Sequence, residues 1–124
     1  MPNKINVNFS WKEFDRAMDQ IAWQLTAGDL LDKFGFIYGI PRGGLVIAVS
    51  LSHRLNKPLV TELRTLSNVL VVDDISDTGN TLHHLAPILS ATIHYNPKAL
   101  FRPTAWVLTK EPDEWIIYPW EVIK

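Results

Sequence analysis

The sequence predicts an α/β fold with a mainly parallel β-sheet flanked by helices. Apolar runs typical of strands alternate with stretches of helical periodicity, and the connections between them are short. The run from Val69 to Val72 is almost continuous valine and leucine, as expected for a parallel strand covered on both faces. The 124 residues fit a single domain over positions 1–124, without repeats or linkers.

The first half of the chain begins with a predicted amphipathic helix. Ser10 and Glu13 have the spacing of a capping box, and apolar residues then recur at helical intervals up to Gly28. A strand, a glycine loop and an apolar helix are predicted next, at 34–40, 41–44 and 45–55. The last of these is assigned as a helix because strands rarely run so long.

The second half contains four predicted strands and one helix. The strands are predicted at 59–63, 69–72, 104–108 and 115–118. The helix begins near 78–81 and carries Leu82, Leu85 and Leu89 toward the core, while Pro87 shortens or kinks it. The four histidines form no metal-ligand pattern such as HExxH, so we expect them on helix faces or the surface.

Composition excludes several classes of protein. With 12 basic and 13 acidic residues, the chain has no broad positive field for a nucleic-acid backbone. The absence of cysteine excludes disulfides, thiolate zinc sites and cysteine nucleophiles. No apolar run approaches the roughly 18 residues of a membrane helix, and the N-terminus lacks a signal core. We therefore expect a cytoplasmic protein that binds neither nucleic acid nor membranes.

The segment VLVVDDISDTGNT (69–81) carries the strongest chemical signal. A buried strand delivers Asp73 and Asp74 to its carboxyl end, the edge at which parallel sheets bind ligands. The turn that follows offers a glycine for close approach, hydroxyl groups, and free N–H groups at a helix start that favour an anion. Its residues are Asp77, Thr78, Gly79, Asn80 and Thr81. The alternative is a solvated strand-to-helix turn in which an aspartate caps the helix.

This segment resembles the phosphoribosyl pyrophosphate signature of the type I phosphoribosyltransferases: an apolar strand, two acids, two spacers and D-T-G-x-T. Two adjacent acids suit a hydrated Mg²⁺, which prefers one or two carboxylates, so Asp73 and Asp74 are also candidate metal ligands. The resemblance implies that these two residues hold the ribose hydroxyls. It also implies that 77–81 bind the 5-phosphate. In the purine enzymes of the family the residue matching Asp77 lies near N7 of the base, which makes Asp77 the predicted general acid/base.

The loop IPRGG (40–44) resembles the pyrophosphate loop of the same family, which reads S-R-G-G in the bacterial xanthine-guanine group. Here Pro41 replaces the serine. Two glycines, Gly43 and Gly44, expose backbone amides, and Arg42 supplies a bidentate charged fork for phosphate oxygens. The resemblance implies that these three residues bind pyrophosphate. By itself, the loop is also compatible with a glycine turn that carries a surface arginine.

The segment DEWIIYPWE (113–121) is similar to D-x-W-I-x-x-P-W-D of the xanthine-guanine enzymes, which implies a minimal C-terminal base-binding segment. The resemblance implies a tryptophan stacked on the purine, a backbone contact to the base edge and a lysine at the C6 oxygen. The matching positions are Trp115, Ile116 and Lys110. Glu121 matches an acid that assists a second Mg²⁺. A single tryptophan can equally be a core residue, which is our prediction for Trp106 and Trp120.

The chain departs from that family at two places. The purine enzymes carry a long mobile lid before the acidic strand, where only RTLS (64–67) stands here. Relatives also place more residues between the base-contacting lysine and the stacking tryptophan, whereas Lys110 and Trp115 are five positions apart. We therefore expect a shortened member of the family without its lid.

The resemblance implies a Mg²⁺-dependent purine phosphoribosyltransferase. Its substrates are phosphoribosyl pyrophosphate and guanine, xanthine or hypoxanthine, and its assembly is a homo-oligomer, a dimer or a tetramer. The alternative is a non-catalytic protein of the same fold that senses phosphoribosyl pyrophosphate or a nucleotide, which the missing lid favours. A receiver domain would place its acidic pair after the first strand, and a P-loop enzyme would need G-x-x-x-x-G-K-[ST], which is absent.

Overall fold

A five-stranded parallel sheet forms the centre of the protein. A two-stranded parallel sheet pairs a strand near the N-terminus with a strand near the C-terminus. The computed structural model describes residues 4–122. The strands are β1 (Ile5–Asn8), β2 (Phe36–Gly39), β3 (Leu59–Val60), β4 (Val69–Ser76), β5 (Leu89–Tyr95), β6 (Ala105–Thr109) and β7 (Glu114–Ile117). The α-helices are α1 (Trp11–Ala27), α2 (Gly43–Leu55) and α3 (Asn80–Leu85), and a 3-10 turn covers Leu31–Lys33. The predicted α/β class with a mainly parallel sheet is confirmed.

The large sheet has the strand order β3-β2-β4-β5-β6, which puts β4 at its centre. Successive residues of β4 point to opposite faces, since side chains alternate along a strand. Leu70 and Val72 pack in the core cluster that contains α1 and α2, whereas Val69 and Val71 pack with Leu82 of α3 on the other side. The prediction of a strand covered on both faces is therefore confirmed.

Helix α1 begins and ends as its sequence predicts. The Ser10 hydroxyl accepts the Glu13 N–H at 3.1 Å, and the Glu13 carboxylate accepts the Ser10 N–H at 3.1 Å. Such a cap stabilises a helix by about 1 kcal/mol. At the other end the Gly28 N–H donates to the Gln24 carbonyl at 3.0 Å. The face buried against the sheet consists of Phe14, Ala17, Met18, Ile21 and Leu25.

Several predicted boundaries are wrong. Strand β3 covers only Leu59–Val60, so 61–63 belong to the connection that leads to β4. Strand β4 runs four residues beyond the predicted end, to Ser76, and α2 starts at Gly43 rather than after the glycine loop. The predicted boundaries were misplaced because tertiary contacts allow polar residues to continue a strand and glycines to begin a helix.

Strand β5 was missed, and Leu89 was wrongly placed on the preceding helix. That helix, α3, ends at Leu85, after which Ala86 has a φ of 48° and breaks the helical path. The strand was missed because it carries polar residues, and the sequence does not show the hydrogen bonds that allow these residues to be buried. Thr92 donates from its hydroxyl to the His94 carbonyl at 2.8 Å, and Ser90 N–H donates to the Thr104 hydroxyl at 3.0 Å.

His94 is buried within β5, which corrects the prediction that all four histidines lie on helix faces or the surface. Only 3% of His94 is exposed, and its Nδ1 lies 2.8 Å from the Tyr118 hydroxyl. Burial lowers the pKa of His94 from 6.5 to about 4, an effect that Glu114 and Glu13 oppose and Lys110 reinforces. The folded protein therefore holds this imidazole in its neutral form.

Within residues 4–122, no helix combines the length and the apolar character needed to cross a membrane.

The buried imidazole of His94 is predicted to contribute less stability in mild acid than at neutral pH. In the unfolded chain His94 takes up a proton near pH 6.5, whereas the folded protein resists protonation until about pH 4. Its contribution is therefore complete above pH 6.5 and is lost as the pH falls to 4, by about 3 kcal/mol. The raised pKa of Asp73 acts in the opposite direction over the same range, so urea unfolding measures the His94 contribution as the stability difference between the wild type and His94→Phe. That difference should fall by about 3 kcal/mol between pH 6.5 and pH 4, whereas the difference for exposed His53→Gln should stay constant. A constant difference for His94→Phe contradicts the assignment.

Candidate active site

The acidic pair lies at the carboxyl edge of the central sheet. Strand β2 ends at Gly39, opposite Val72, so Asp73 and Asp74 extend beyond the neighbouring strand on that side. On the other side β5 continues alongside, and Asp73 pairs with Thr92. Both carboxylates are half-buried in the crevice that this difference in strand length creates.

Ionisation of this carboxyl pair is unfavourable in the protein without a ligand. The Asp74 N–H donates to Oδ1 of Asp73 at 2.9 Å. Burial, followed by the charge of Asp74, raises the pKa of Asp73 to about 8, and burial raises the pKa of Asp74 as well. No lysine, arginine or histidine within residues 4–122 forms an ion pair with either carboxylate. The pair is therefore ready to accept hydroxyl donors or a cation.

The glycine loop packs directly against the acidic strand. Helix α2 begins at Gly43, where a Cβ would overlap the Asp74 carboxylate, and a Cβ on Gly44 would lie 2.5 Å from the Val72 carbonyl oxygen. Glycine is required at Gly44, where a side chain would push the helix start away from the strand backbone, whereas a side chain at Gly43 would displace the Asp74 carboxylate. Exposed Arg42 borders a cleft of about 630 Å³ that Gly43, Asp74 and Glu121 also line, called the loop cleft below.

The turn after β4 forms a second concave surface. Residues 73–82 line a cleft of about 210 Å³, the turn cleft, which contains all five predicted phosphate-binding residues. Gly79 has a φ of +81°, and a Cβ there would lie 2.6 Å from the Phe101 nitrogen. The Leu100 N–H donates to the Thr78 carbonyl at 2.8 Å, so the 96–104 connection supports the turn from behind.

The predicted base-binding residues meet the acidic strand in a third cleft. This inner cleft, of about 150 Å³, is lined by residues that include Asp74, Asp77, Lys110, Trp115, Ile116 and Glu121. Trp115 is 56% exposed and presents an open ring, whereas Ile116 is buried. The structure thus brings every predicted base-binding residue together with the predicted general acid/base.

Lys110 and Asp77 form an ion pair in this cleft. Nζ of Lys110, which is 4% exposed, lies 3.2 Å from Oδ1 of Asp77. The amide Nδ2 of Asn96 lies 3.1 Å from the same oxygen. Asn96 escaped the sequence analysis because it follows β5, the strand that was missed.

Tyr118 is a second residue that the sequence analysis did not assign to the site. Its hydroxyl donates to the Asp74 carbonyl at 3.2 Å and meets His94 Nδ1, while its ring stacks on Trp120 at 4.9 Å. Burial and the nearby acids hold the pKa of Tyr118 well above its usual range. The segment after β7 is therefore attached to the acidic strand by a neutral phenol. Trp120 packs against the core, as predicted.

Comparison with known proteins decides the family. No family model matches the chain. A xanthine-guanine phosphoribosyltransferase of Idiomarina loihiensis is 30% identical, over 91% of this chain and 85% of the relative. The chain belongs to the type I phosphoribosyltransferases and is similar to their xanthine-guanine members. That alignment extends over 141 positions, more than the 124 residues of this chain, so the xanthine-guanine relative has segments that are missing here.

Solved structures agree with this membership of the phosphoribosyltransferases. A purine phosphoribosyltransferase from Pyrococcus horikoshii superposes with a TM-score of 0.80 at 29% identity, over 96% of each chain. A protein from Neisseria gonorrhoeae with bound ppGpp has a TM-score of 0.75 at 21% identity, over 99% of this chain and 93% of its own. The second likeness concerns the fold alone.

Removal of the Tyr118 hydroxyl tests its link to the acidic strand. Tyr118→Phe leaves the Asp74 carbonyl and His94 without their shared partner, so the free energy of unfolding should fall by about 1–3 kcal/mol. Urea denaturation at pH 7 measures the change. Tyr38→Phe is the matched control, because Tyr38 is half-buried and makes no side-chain hydrogen bond to residues 4–122. Equal effects of the two substitutions would show that the Tyr118 contacts contribute no stability.

Proposed function

We propose that this phosphoribosyltransferase converts a 6-oxopurine (guanine, xanthine or hypoxanthine) and phosphoribosyl pyrophosphate into the purine nucleoside 5-monophosphate and pyrophosphate. The observation that carries the proposal is the inner cleft, where Asp74 and Asp77 of the acidic segment line the same space as Lys110 and Trp115. A site that serves only a phosphorylated sugar has no need for an aromatic face and a buried cation beside the acids.

Phosphoribosyl pyrophosphate would extend across the three clefts. In this proposal Arg42 and the amides of Gly43 and Gly44 bind the pyrophosphate in the loop cleft. Asp73 and Asp74 accept the ribose hydroxyls, and the 77–81 turn receives the 5-phosphate through hydroxyls and N–H groups at the start of α3. The packing of Gly43 against Asp74 supports this order, because it places the pyrophosphate loop next to the ribose acids.

The residues also fit Mg²⁺. Within residues 4–122 no three histidine or acidic side chains cluster as ligands, so the protein alone offers no complete metal cage. Mg²⁺ commonly uses one or two protein carboxylates together with waters and phosphate oxygens. The half-buried pair can supply the carboxylates. We assign Asp73 and Asp74 to it, with Glu121 across the loop cleft for a second ion. When bound, the ion would neutralise the leaving pyrophosphate.

The purine would bind against Trp115, with its edge toward the Ile116 backbone. An ammonium group has three donors, so Lys110 can donate to a C6 oxygen while it keeps its contact with Asp77. The ring nitrogen then attacks C1′ as the bond to pyrophosphate breaks, and Asp77 accepts the purine proton. The carboxylates of Asp73 and Asp74 would stabilise the positive charge that develops on the ribose.

Two further parts of the proposal concern assembly and access. Exposed apolar side chains, which include Trp11, Trp23, Ile88 and Leu100, support a homo-oligomer, a dimer or a tetramer. A short connection, 61–68, stands where relatives carry a long lid, which supports a site that stays open to water. Light scattering measures the first of these properties, and hydrolysis of phosphoribosyl pyrophosphate without a base measures the second.

The second candidate is a nucleotide sensor. The Neisseria gonorrhoeae protein of the same fold holds ppGpp, a nucleotide with pyrophosphate groups, and the short 61–68 connection is compatible with binding without turnover. The position of Asp77 beside Lys110 and Trp115 favours the enzyme, because it puts a group that can accept a proton next to the proposed base site.

A panel of bases separates the two candidates. With phosphoribosyl pyrophosphate and Mg²⁺, at least one 6-oxopurine should give its nucleotide, whereas adenine, orotate and uracil should react poorly because Lys110 favours a C6 oxygen. Chromatography of the products measures the outcome, with a reaction lacking base as the control for hydrolysis. A preference for adenine or a pyrimidine contradicts the base assignment. Binding of ppGpp without turnover of any base supports the sensor.

Two substitutions divide catalysis from binding. Asp77→Asn should lower turnover by roughly 10²–10⁴-fold if its task is proton transfer, with little change in the KM for phosphoribosyl pyrophosphate. Arg42→Ala should weaken binding of that substrate by about 1.5–3 kcal/mol, because a hydrogen bond to a charged group is lost. Steady-state kinetics and calorimetry measure the two effects. The exposed residues Asp32→Asn and Arg16→Ala are matched controls. Turnover that is unchanged in Asp77→Asn removes its proposed role.

A further inference from the structure

Asn96 lies directly after β5 and contacts the site without lining any of its three clefts. Its Nδ2 donates to Oδ1 of Asp77 at 3.1 Å. Since Asp77 lines the inner cleft and the turn cleft, Asn96 reaches the site through Asp77. No role in the reaction described above requires this contact.

Asn96 is held in one orientation by the end of β4 and by the connection that follows it. Its Oδ1 accepts the Lys98 N–H at 3.0 Å, its N–H donates to the Ser76 carbonyl at 2.9 Å, and its carbonyl accepts the Ala99 N–H at 2.8 Å. Because the amide oxygen is already an acceptor for a backbone N–H, Nδ2 must be the atom that faces Asp77. The hydrogen bonds therefore fix which end of the amide meets the carboxylate.

The two oxygens of Asp77 are consequently in different situations. Oδ1 receives both Nδ2 of Asn96 and Nζ of Lys110, at 3.1 and 3.2 Å. Among residues 4–122, no side chain or backbone N–H donates to Oδ2 of Asp77, whose side chain is 38% exposed. Two donors on one oxygen define the plane of the carboxylate and leave the other oxygen available to a ligand.

Lys110 alone would not define that plane. An ammonium group is a point charge on a flexible chain and attracts a carboxylate in many orientations. A planar amide whose own position is fixed imposes a direction, which is the function of supporting residues around a reacting group. The geometry assigns to Asn96 the direction and to Lys110 the charge.

We propose that Asn96 is a positioning residue for the transfer reaction, which holds Oδ1 of Asp77 so that Oδ2 faces the purine. This inference rests on the proposed phosphoribosyltransferase function. In the step concerned, the purine nitrogen forms its bond to C1′ and the bond from C1′ to pyrophosphate breaks with its electron pair on the leaving group. The proton of the purine passes to Oδ2 of Asp77.

A double-mutant cycle tests the proposal. Asn96→Leu, of similar shape but without donors, should lower kcat by about tenfold to a hundredfold and leave the KM for phosphoribosyl pyrophosphate within about twofold. In the Asp77→Asn background the same substitution should change kcat by less than about twofold, because its partner no longer carries out the proton transfer. Gln20→Leu, an exposed amide of α1, is the matched control.

A second variant keeps the test informative if Asn96→Leu fails to fold. Asn96→Asp retains the shape and the acceptor for Lys98, yet it replaces the donor that faces Asp77 by an oxygen. It should lower kcat at least as much as Asn96→Leu, and it should also lose its effect in the Asp77→Asn background. Circular dichroism and thermal unfolding confirm that each variant is folded.

The outcomes separate the inference from the function on which it rests. Equal losses from the Asn96 substitutions in both backgrounds, or a change in KM with kcat unchanged, overturn the positioning role while the wild-type enzyme remains active. A wild-type protein that forms no nucleotide from any base overturns the proposed function and this inference together. Coupling of the two positions in kcat alone supports the proposal.

Discussion

Asp73 and Asp74 form a half-buried carboxyl pair at the carboxyl end of the central strand, and Asp74 lines all three clefts of the site. Burial raises the pKa of both carboxyl groups, to about 8 for Asp73, so ionisation of the pair in the free protein is unfavourable. No basic side chain within residues 4–122 pairs with them. A ligand that brings hydroxyl donors or a cation therefore supplies the partners that the ionised pair lacks, which favours binding at this point of the sheet.

Strands near the two ends of the chain are paired, so the proposed base-binding segment has a fixed position. Strand β7 pairs with β1, with Trp115 opposite Asn6, and the Tyr118 hydroxyl donates to the Asp74 carbonyl. The aromatic ring of Trp115 and the acidic pair are thus connected by backbone and side-chain hydrogen bonds. A short base-binding segment can be placed accurately in this way because its strand partner comes from the opposite end of the sequence.

The sequence allowed prediction of those parts whose signals are local. The cap at Ser10, the apolar run from Val69 to Val72 and the motif around Asp77 each depend on neighbouring residues, and the structure places them as expected. The β1–β7 pair, the buried strand with His94 and the contact of Asn96 were not predictable. They depend on partners far away in the chain, and polar residues on a buried strand resemble a surface segment until their hydrogen bonds are known.

Because the 61–68 connection is short, the site must be organised by residues that already have fixed positions. A long closing segment can exclude water and complete a site after the substrate binds. Here the organised groups precede the ligand: Lys110 is 4% exposed, Tyr118 is buried, and Asn96 makes four hydrogen bonds. Preorganised dipoles and charges stabilise a transition state without rearranging during the reaction, provided that they keep their positions in the presence of water. The supporting contacts behind Asp77 and Asp74 are therefore as important to this site as the groups that face its clefts.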